Sequence, residues 1–500
     1  MDHRGQGQYY CPQTARTAFP DHSKKNSAEI LAGIEKLLNQ CHGLGSLTMR
    51  ERVRRHLISQ LLCLGRHTLT GVLGTSGRLF CDWSADYRMY SSQRIEPQKL
   101  FDPVRKSLTA RLGQDEPLVA ALDDTHLRKS GRKTHGVKYT RDPLGPPFHV
   151  NFIRAQRFVQ ISMASPSDNG MARMIPIDFV HAPAPPKLSH DADQLACAQF
   201  RQAKREMALP KLGADRLHAL RTAMDKDAQQ DRPLWSVVDG GYTNRTFIKY
   251  LPPRTVFVGR IRADAKLYHL PESTEGKPGR NRVYGKRAQT PEELRKDQYV
   301  AWQRVEAFAA GKVHNFKIKT VSPLRWRPAG KQHDLRLIVI APLGYRLTKS
   351  SKLLYRKPAY LICSDPNASI KDVLQAYIWR WDIEVNFRDE KTLLGVGQAQ
   401  VRHEHSVENV PALAVAAYAM LLTAATQAFG PTGQPDSLPS PKWRRKKNLR
   451  PSTQSLIQHL RQEVWAHAIH FSSFVARPSP DTKPQKIENS LGCALFYAGA

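Results

Sequence analysis

Tyr377-Ile378-Trp379-Arg380-Trp381-Asp382-Ile383-Glu384-Val385-Asn386-Phe387-Arg388-Asp389-Glu390-Lys391 is the stretch on which the reading of this chain turns. Set on a helix, Tyr377, Arg380, Glu384, Arg388 and Lys391 fall at about 0°, 300°, 340°, 20° and 320° around the axis. A phenol, three cations and one acid thus share a narrow stripe. Asp382, Asp389 and Glu390 fall elsewhere, so Glu384 is the acid that geometry singles out. Leu374, Ile378, Trp381 and Val385 recur at helical spacing on one flank, Ile383 and Phe387 on the other, and both flanks are expected to be buried. Ser369 can cap the start with Asp372 at N3, and Gly395 closes a helix predicted over 369–394. Two readings of Glu384 stand open. It is either the partner of Arg380 in an i,i+4 salt bridge, or one of several carboxylates around divalent cations, where hard oxygen ligands suit Mg²⁺ or Mn²⁺.

Upstream, Leu118-Val119-Ala120-Ala121-Leu122 reads as a strand apolar on both faces, hence central in its sheet. It delivers Asp123-Asp124-Thr125 to its C-terminal end, where open α/β sheets place ligands. Leu234-Trp235-Ser236-Val237-Val238 likewise delivers Asp239 to the turn Gly240-Gly241-Tyr242. Alternation allows either Asp123 or Asp124 as the first acid. Taken singly, these strings have ordinary readings as a helix cap and a turn. Further strands are expected at 149–153, 157–164 and 174–180, and helices at 189–208 and 215–228. From Arg254 to Asp365 the chain is β-rich and basic, with strands near 255–262, 299–304, 316–321, 335–342 and 358–363, an inserted β domain between the second and third acids.

Residues 28–110 read as helices, with Ile30, Ile34, Leu37 and Leu38 on one stripe and Val53, Leu57, Leu61 and Leu64 on another. Arg66-His67-Thr68 before Leu69, Val72 and Leu73 has the outline of a helix-turn-helix, followed by Trp83, Tyr87, Arg88 and Tyr90; a plain helical bundle fits as well. Past Gly430 a Pro/Ser-rich linker leads to the basic run Lys442-Trp443-Arg444-Arg445-Lys446-Lys447 and a helix near 453–469. That run is either a DNA-contacting arm or a solvated tail.

Lysine and arginine number 76 against 44 acids, a net charge of +32 spread along the chain, which favours a nucleic-acid partner over small acidic substrates. Seven scattered cysteines without a Cys-x-x-Cys pair speak against a zinc site or disulfide frame. Residues 1–27 lack an apolar signal core, so the protein is expected in the cytoplasm, associated with the nucleoid. Val410 to Phe429 carries no charge over a membrane-spanning length, yet its alanines, Pro411, Thr423, Thr426 and Gln427 suit a buried helix better.

Together the three acid-bearing strings resemble the DDE transposases of bacterial insertion sequences, the group with a Tyr-x2-Arg-x3-Glu-x6-Lys (YREK) signature, here Tyr377, Arg380, Glu384 and Lys391. The second motif of that group, Asp-x-Gly-Tyr/Phe, is matched by Asp239-Gly240-Gly241-Tyr242. The resemblance selects Asp123 over Asp124, because a Thr or Ser follows two residues after the first acid. It implies an α/β, ribonuclease-H-like catalytic core interrupted by a β-rich insertion, with an N-terminal helical domain. Organisation follows as 28–110 helical, with DNA binding one of its open readings, 111–264 first part of the core, 265–365 insertion, 366–430 second part, and 431–500 basic linker and C-terminal helix. The implied chemistry is DNA strand cleavage at transposon ends and strand transfer into target DNA, with two Mg²⁺ ions, or Mn²⁺ in substitution, held by Asp123, Asp239 and Glu384. Pairing two ends implies a dimer or higher assembly on DNA.

Arg380 and Lys391 would position terminal phosphates, and Tyr377 would meet an unstacked base or a phosphate, with Arg388 second in rank. Arg128, Lys129, Arg132, Lys133 and Lys138 follow the first acid and are either DNA contacts beside the site or a solvated basic loop, as are Arg260 and Arg262 beyond the second. His126 and His135 are assigned no role as bases. Two other readings stay open: a domesticated relative that binds DNA without cutting it, and a ribonuclease-H-like nuclease of another class.

Overall fold

A computed structural model of the protein describes residues 29–142, 145, 151–272, 282–331, 333–348, 350–431 and 450–471. The segment 1–27, the basic run 442–447 and the chain beyond Phe471 lie outside the described residues. Five helices open the fold: α1 (Glu29–Asn39), α2 (Leu47–Leu62), α3 (Leu69–Thr75), α4 (Ser84–Ser91) and α5 (Asp102–Thr109). The expected stripes are the buried ones, with Ile30, Ile34, Leu37 and Leu38 of α1 and Val53, Leu57 and Leu61 of α2 in the core, while Leu64 lies past the end of α2 and is exposed. Thr68 caps α3 by accepting the N–H of Gly71 at 3.2 Å. Of the seven residues of α3 all but Thr70 are buried. A helix so enclosed cannot lie in a DNA groove, so the helix-turn-helix outline is a bundle corner here.

The sheet begins with β1 (Leu118–Arg128), β2 (Lys138–Arg141), β3 (Phe152–Pro166) and β4 (Ala172–His181). After the helices α6 (Gln194–Glu206) and α7 (Leu209–Lys226) come β5 (Leu234–Val238), α8 (Arg245–Lys249) and β6 (Thr255–Arg260). β3 pairs antiparallel with β1 and β4, whereas β1, β5 and β6 run parallel, so β1 is central, as its two apolar faces require. The β-rich stretch supplies β7 (Leu267–Tyr268), α9 (Pro291–Lys296), β8 (Gln303–Ala309), β9 (Lys312–Trp326), β10 (Leu335–Ile340), β11 (Gly344–Tyr345), β12 (Leu354–Tyr355) and β13 (Ala359–Cys363). β13 pairs with β6, β10 with β13, and β9 with β10, so these strands extend the same sheet, which reaches eleven strands among the described residues. β11 and β12 form a separate hairpin.

The closing helices are α10 (Ile370–Trp379), α11 (Asp382–Thr392), α12 (Glu404–Phe429) and α13 (Thr453–Phe471). The single helix expected over 369–394 is thus divided. Around Arg380 and Trp381 the N–H groups of Trp381, Ile383 and Glu384 reach back three residues, to Ile378, Arg380 and Trp381. Such tightening turns each residue about 20° further than an α-helix does. It rotates the second half of the stripe relative to the first and leaves Trp381, expected in the core, 62% exposed. Ser369 does cap α10, and Gly395 follows α11 at a φ of +57°.

Helices cover both faces of the sheet. Leu118, Ala120 and Leu122 pack into the core that α12 shares with the N-terminal helices, whereas Val119, Ala121, Trp235 and Val237 pack with Val373, Leu374, Ile383 and Phe387 of α10 and α11. α12 is long and apolar enough to cross a membrane, but here it is the buried centre of the helical layer. Gly33 of α1 lies so close to it that a Cβ there would come within 2.8 Å of the Ala424 methyl.

Candidate active site

Strand alternation settles what faces α11. Val119 and Ala121 point to the α10–α11 side, so Asp123, two residues on, does too, and Asp239 follows Val237 in the same way. Asp124 projects oppositely, where it accepts Arg157 Nε at 2.6 Å and the Tyr242 hydroxyl at 3.2 Å. The two adjacent acids are therefore different in kind: Asp124 is tied into the structure and Asp123 faces the third acid. Tyr242, the last residue of the second motif, is buried and ties that motif to the first.

Asp123 stands opposite Gln160 of β3. Its Oδ1 accepts the N–H of Asp124 at 2.8 Å, and its Oδ2 lies 3.3 Å from Nη1 of Arg380. Nη2 of the same guanidinium lies 3.3 Å from Oε1 of Glu384. One arginine thus bridges the first and third acids. Asp239 holds its turn by accepting the Gly241 N–H at 2.8 Å, and its charge reaches Asp123, Arg380 and Glu384. The Arg380 guanidinium also stands 5.5 Å from the centre of the Tyr377 ring, a cation–π distance.

One guanidinium does not neutralise three carboxylates. Burial, and then the neighbouring Asp239, push the Asp123 carboxyl up to about 7 although Arg380 opposes them. Burial also raises Glu384. The Arg380 side chain is nearly buried and its Nε has no hydrogen-bond partner among the described residues. Among those residues no three His, Cys, Asp or Glu side chains stand close enough to close round one ion. The guanidinium is what occupies the ground between Asp123 and Glu384. The donor set itself, three partly desolvated carboxylates with excess negative charge, fits a hard divalent cation.

The seat of α11 is polar and buried. Asn386 donates to Ser162 Oγ at 3.2 Å and to the Met174 carbonyl at 3.0 Å, and Thr453 donates to Asp389 at 2.7 Å. At the start of α11, Asp382 accepts the Met174 N–H and the Arg450 guanidinium. These bonds fix the helix that carries Glu384 against β3 and β4. None was visible in the sequence, because the partners come from three distant segments.

The remaining predicted residues sort unevenly. Lys391 is mostly buried near Asp124, and burial lowers its ammonium. Arg388 is exposed and bonds Asp389 at 2.9 Å. Arg128 is exposed beside Asp142 at 2.7 Å, and Arg132 and Lys133 are exposed on the following turn. Lys129 is the correction: it is 4% exposed, and its ammonium donates to the carbonyls of Gly397 at 2.9 Å and Ala399 at 2.7 Å. It ties β1 to the loop after α11 and offers nothing to DNA. Arg262 pairs with Asp264 at 2.9 Å. A cavity of about 1330 Å³, which none of the three acids lines, opens on Arg380, with Arg260, Tyr377, Trp381 and Arg388 in its wall together with Tyr355 and Arg356 from the β-rich stretch. Trp381 and Arg356 were missed because exposure beside a site leaves no periodic signal.

No curated protein sequence matches the chain. Residues 41–326, more than half of it, match the family model described as DDE superfamily endonuclease. That span contains Asp123 and Asp239 and stops short of Glu384. Because that match spans more than half of its length, the chain belongs to the DDE superfamily endonucleases.

Proposed function

We propose that the protein is a transposase of the YREK group that cleaves DNA at transposon ends and transfers the freed 3′ end to target DNA, with Asp123, Asp239 and Glu384 as its catalytic acids. The observation that carries this reading is the Arg380 bridge between Asp123 and Glu384 with Asp239 alongside. The order of β4, β3, β1, β5 and β6, antiparallel then parallel, supports a ribonuclease-H-like core, with the strands of 265–365 as its insertion.

Members of this superfamily generally depend on divalent metal ions and act on DNA. Asp123, Asp239 and Glu384 would hold Mg²⁺, which supplies an attacking water of lowered pKa and charge for the leaving 3′ oxygen. Arg380, once released from the two carboxylates, presents Nη1 and Nη2 in parallel to a terminal phosphate. Tyr377 and Trp381 offer ring faces to an unstacked base, and Arg388 adds a point of charge at the same cavity. Sequential cleavage and joining at two ends suit a dimer or higher assembly on DNA.

The test begins from inverted repeats, which this reading expects to flank the coding region, and combines duplexes carrying them with the full chain and Mg²⁺. Native protein is expected to leave a 3′ hydroxyl at the repeat boundary, and Asp123→Asn to bind those ends without nicking them. Native protein that leaves the ends intact, or a variant that loses binding and cleavage equally, contradicts the proposal.

A further inference from the structure

Away from the acids, the N-terminal helices hold a cluster with inverted charge. Asp86 of α4 is 1% exposed and is approached by three arginines. Arg55 Nη2 donates to it at 2.8 Å, and Arg52 and Arg78 reach it through Nε at 3.5 Å each. His56 bonds it at 3.0 Å and is held from behind by the Tyr90 hydroxyl at 2.9 Å. Burial lowers His56, so this imidazole adds no charge near neutral pH. One buried carboxylate against three guanidinium groups leaves positive charge over, reduced at Arg78 by the exposed Asp82 carboxylate, whose charge reaches it.

The geometry makes that surplus usable. Nε of Arg52 and of Arg78 stands at ion-pair distance from Asp86 without a hydrogen-bond partner, and both terminal nitrogens of Arg52 likewise bond nothing among the described residues. Among the described residues Arg78 bonds only the Asp82 carbonyl, through Nη2, and Nη1 of Arg55 has no partner. The exposed carboxylate of Asp82 is turned to the Ser84 N–H. The three side chains keep 16%, 28% and 34% of their surface open, so the shared carboxylate draws them together from within, bonding Arg55, while part of each stays open to solvent. Trp83, which precedes α4 and is more than half exposed, packs on Tyr87.

We propose that Arg52, Arg55 and Arg78, gathered around Asp86, form a phosphate seat by which the N-terminal helices hold the DNA backbone. Paired guanidinium nitrogens match phosphate oxygens, and arginines gathered beside a buried anion lose less freedom on binding than solitary ones. With α3 enclosed, this corner grips the backbone and leaves base reading to other parts. The inference rests on the reading of the protein as a DNA enzyme.

The experiment measures duplex affinity of the full chain across a salt series. Arg52→Gln/Arg78→Gln leaves Asp86 its Arg55 and His56 bonds. It is expected to reduce the slope of log affinity against log salt by about one to two and to weaken binding about tenfold near physiological salt. Arg201→Gln, on the exposed side of α6, is expected to change neither. Arg52→Lys/Arg78→Lys keeps both charges and removes the paired nitrogens, so the slope is retained and affinity falls several-fold, a readout that stands if the glutamine variant fails to fold. A glutamine variant that melts like the native protein and binds with the native slope, or a lysine variant of native affinity, overturns the proposal. Native protein that binds no duplex at any salt removes instead the DNA reading beneath it.

Discussion

Two places in this molecule gather arginine and carboxylate at opposite ratios. Around Arg380 one guanidinium meets Asp123 and Glu384 with Asp239 beside them, and around Asp86 one carboxylate meets Arg52, Arg55 and Arg78. The physics of each contact is the same and the balance is reversed. The first cluster has negative charge in excess in a partly desolvated site, which raises Asp123 to about 7. In the second, burial raises Asp86, but the bonds from His56 and Arg55 outweigh it and hold the carboxyl at about 2. A surplus of carboxylate attracts cations and a surplus of guanidinium attracts phosphate, so the unmatched part of each cluster, not its ion pairs, points to a ligand.

The sharpest way to break this comparison is kinetic. Asp123→Asn and Asp239→Asn are each expected to reduce end nicking by at least about a thousandfold, and the double variant by little more, because the acids act as one unit. Losses that multiply in the double variant would show separate roles. Stability separates the clusters next. Asp86→Asn leaves three arginines around a neutral group and is expected to cost about 3 kcal/mol in a urea melt, whereas Asp239→Asn relieves like-charge repulsion and leaves stability equal or higher. Equal destabilisation by both would erase the distinction.

A smaller effect comes from Glu390, whose carboxyl is buried under α11 and pushed up to about 8 by that burial. The folded chain keeps a proton that the unfolded chain releases near 4.5. Its contribution is therefore full below about pH 4.5, declines as pH rises towards 8, and is flat above. Glu390→Gln is expected to remove that decline and to gain on the order of 1–2 kcal/mol over the native protein at pH 8, with little difference at pH 4. Parallel stability profiles from pH 4 to 9 would contradict this. The smallest effect concerns the basic segment after β1. Arg132→Gln/Lys133→Gln is expected to reduce the salt slope of DNA binding by about one or less, and Lys129→Met to leave it unchanged; a larger change from Lys129 would put that side chain back on the DNA.

Much of this was legible in the sequence where local pattern and tertiary demand agree. Leu234–Val238 is a strand to the residue, and the parity of Val119, Ala121 and Asp123 holds in three dimensions. The division between α10 and α11 was not legible, since nothing in a 3.6-residue pattern marks where hydrogen bonds tighten. It turned Trp381 from an expected core residue into a cavity wall. Lys129 misled because a basic loop and a carbonyl-bound ammonium have the same letters. The Asp86 cluster was hidden for the opposite reason: Arg52, Arg55 and His56 share a helix, but Arg78 and Asp86 arrive from outside it. The different settings of the two adjacent acids, Asp124 bonded to Arg157 and Tyr242 and Asp123 beside Arg380, were not legible either, because those partners come from other strands and helices.

Glu384 lies beyond the residues that carry the family match, so it bears most directly on whether three acids form one centre. The measurement is Mg²⁺-dependent nicking of terminal-repeat DNA by Glu384→Gln, with end binding followed on the same sample. The account predicts native binding and no nick above background; cleavage at a rate within a few-fold of the native protein would contradict it.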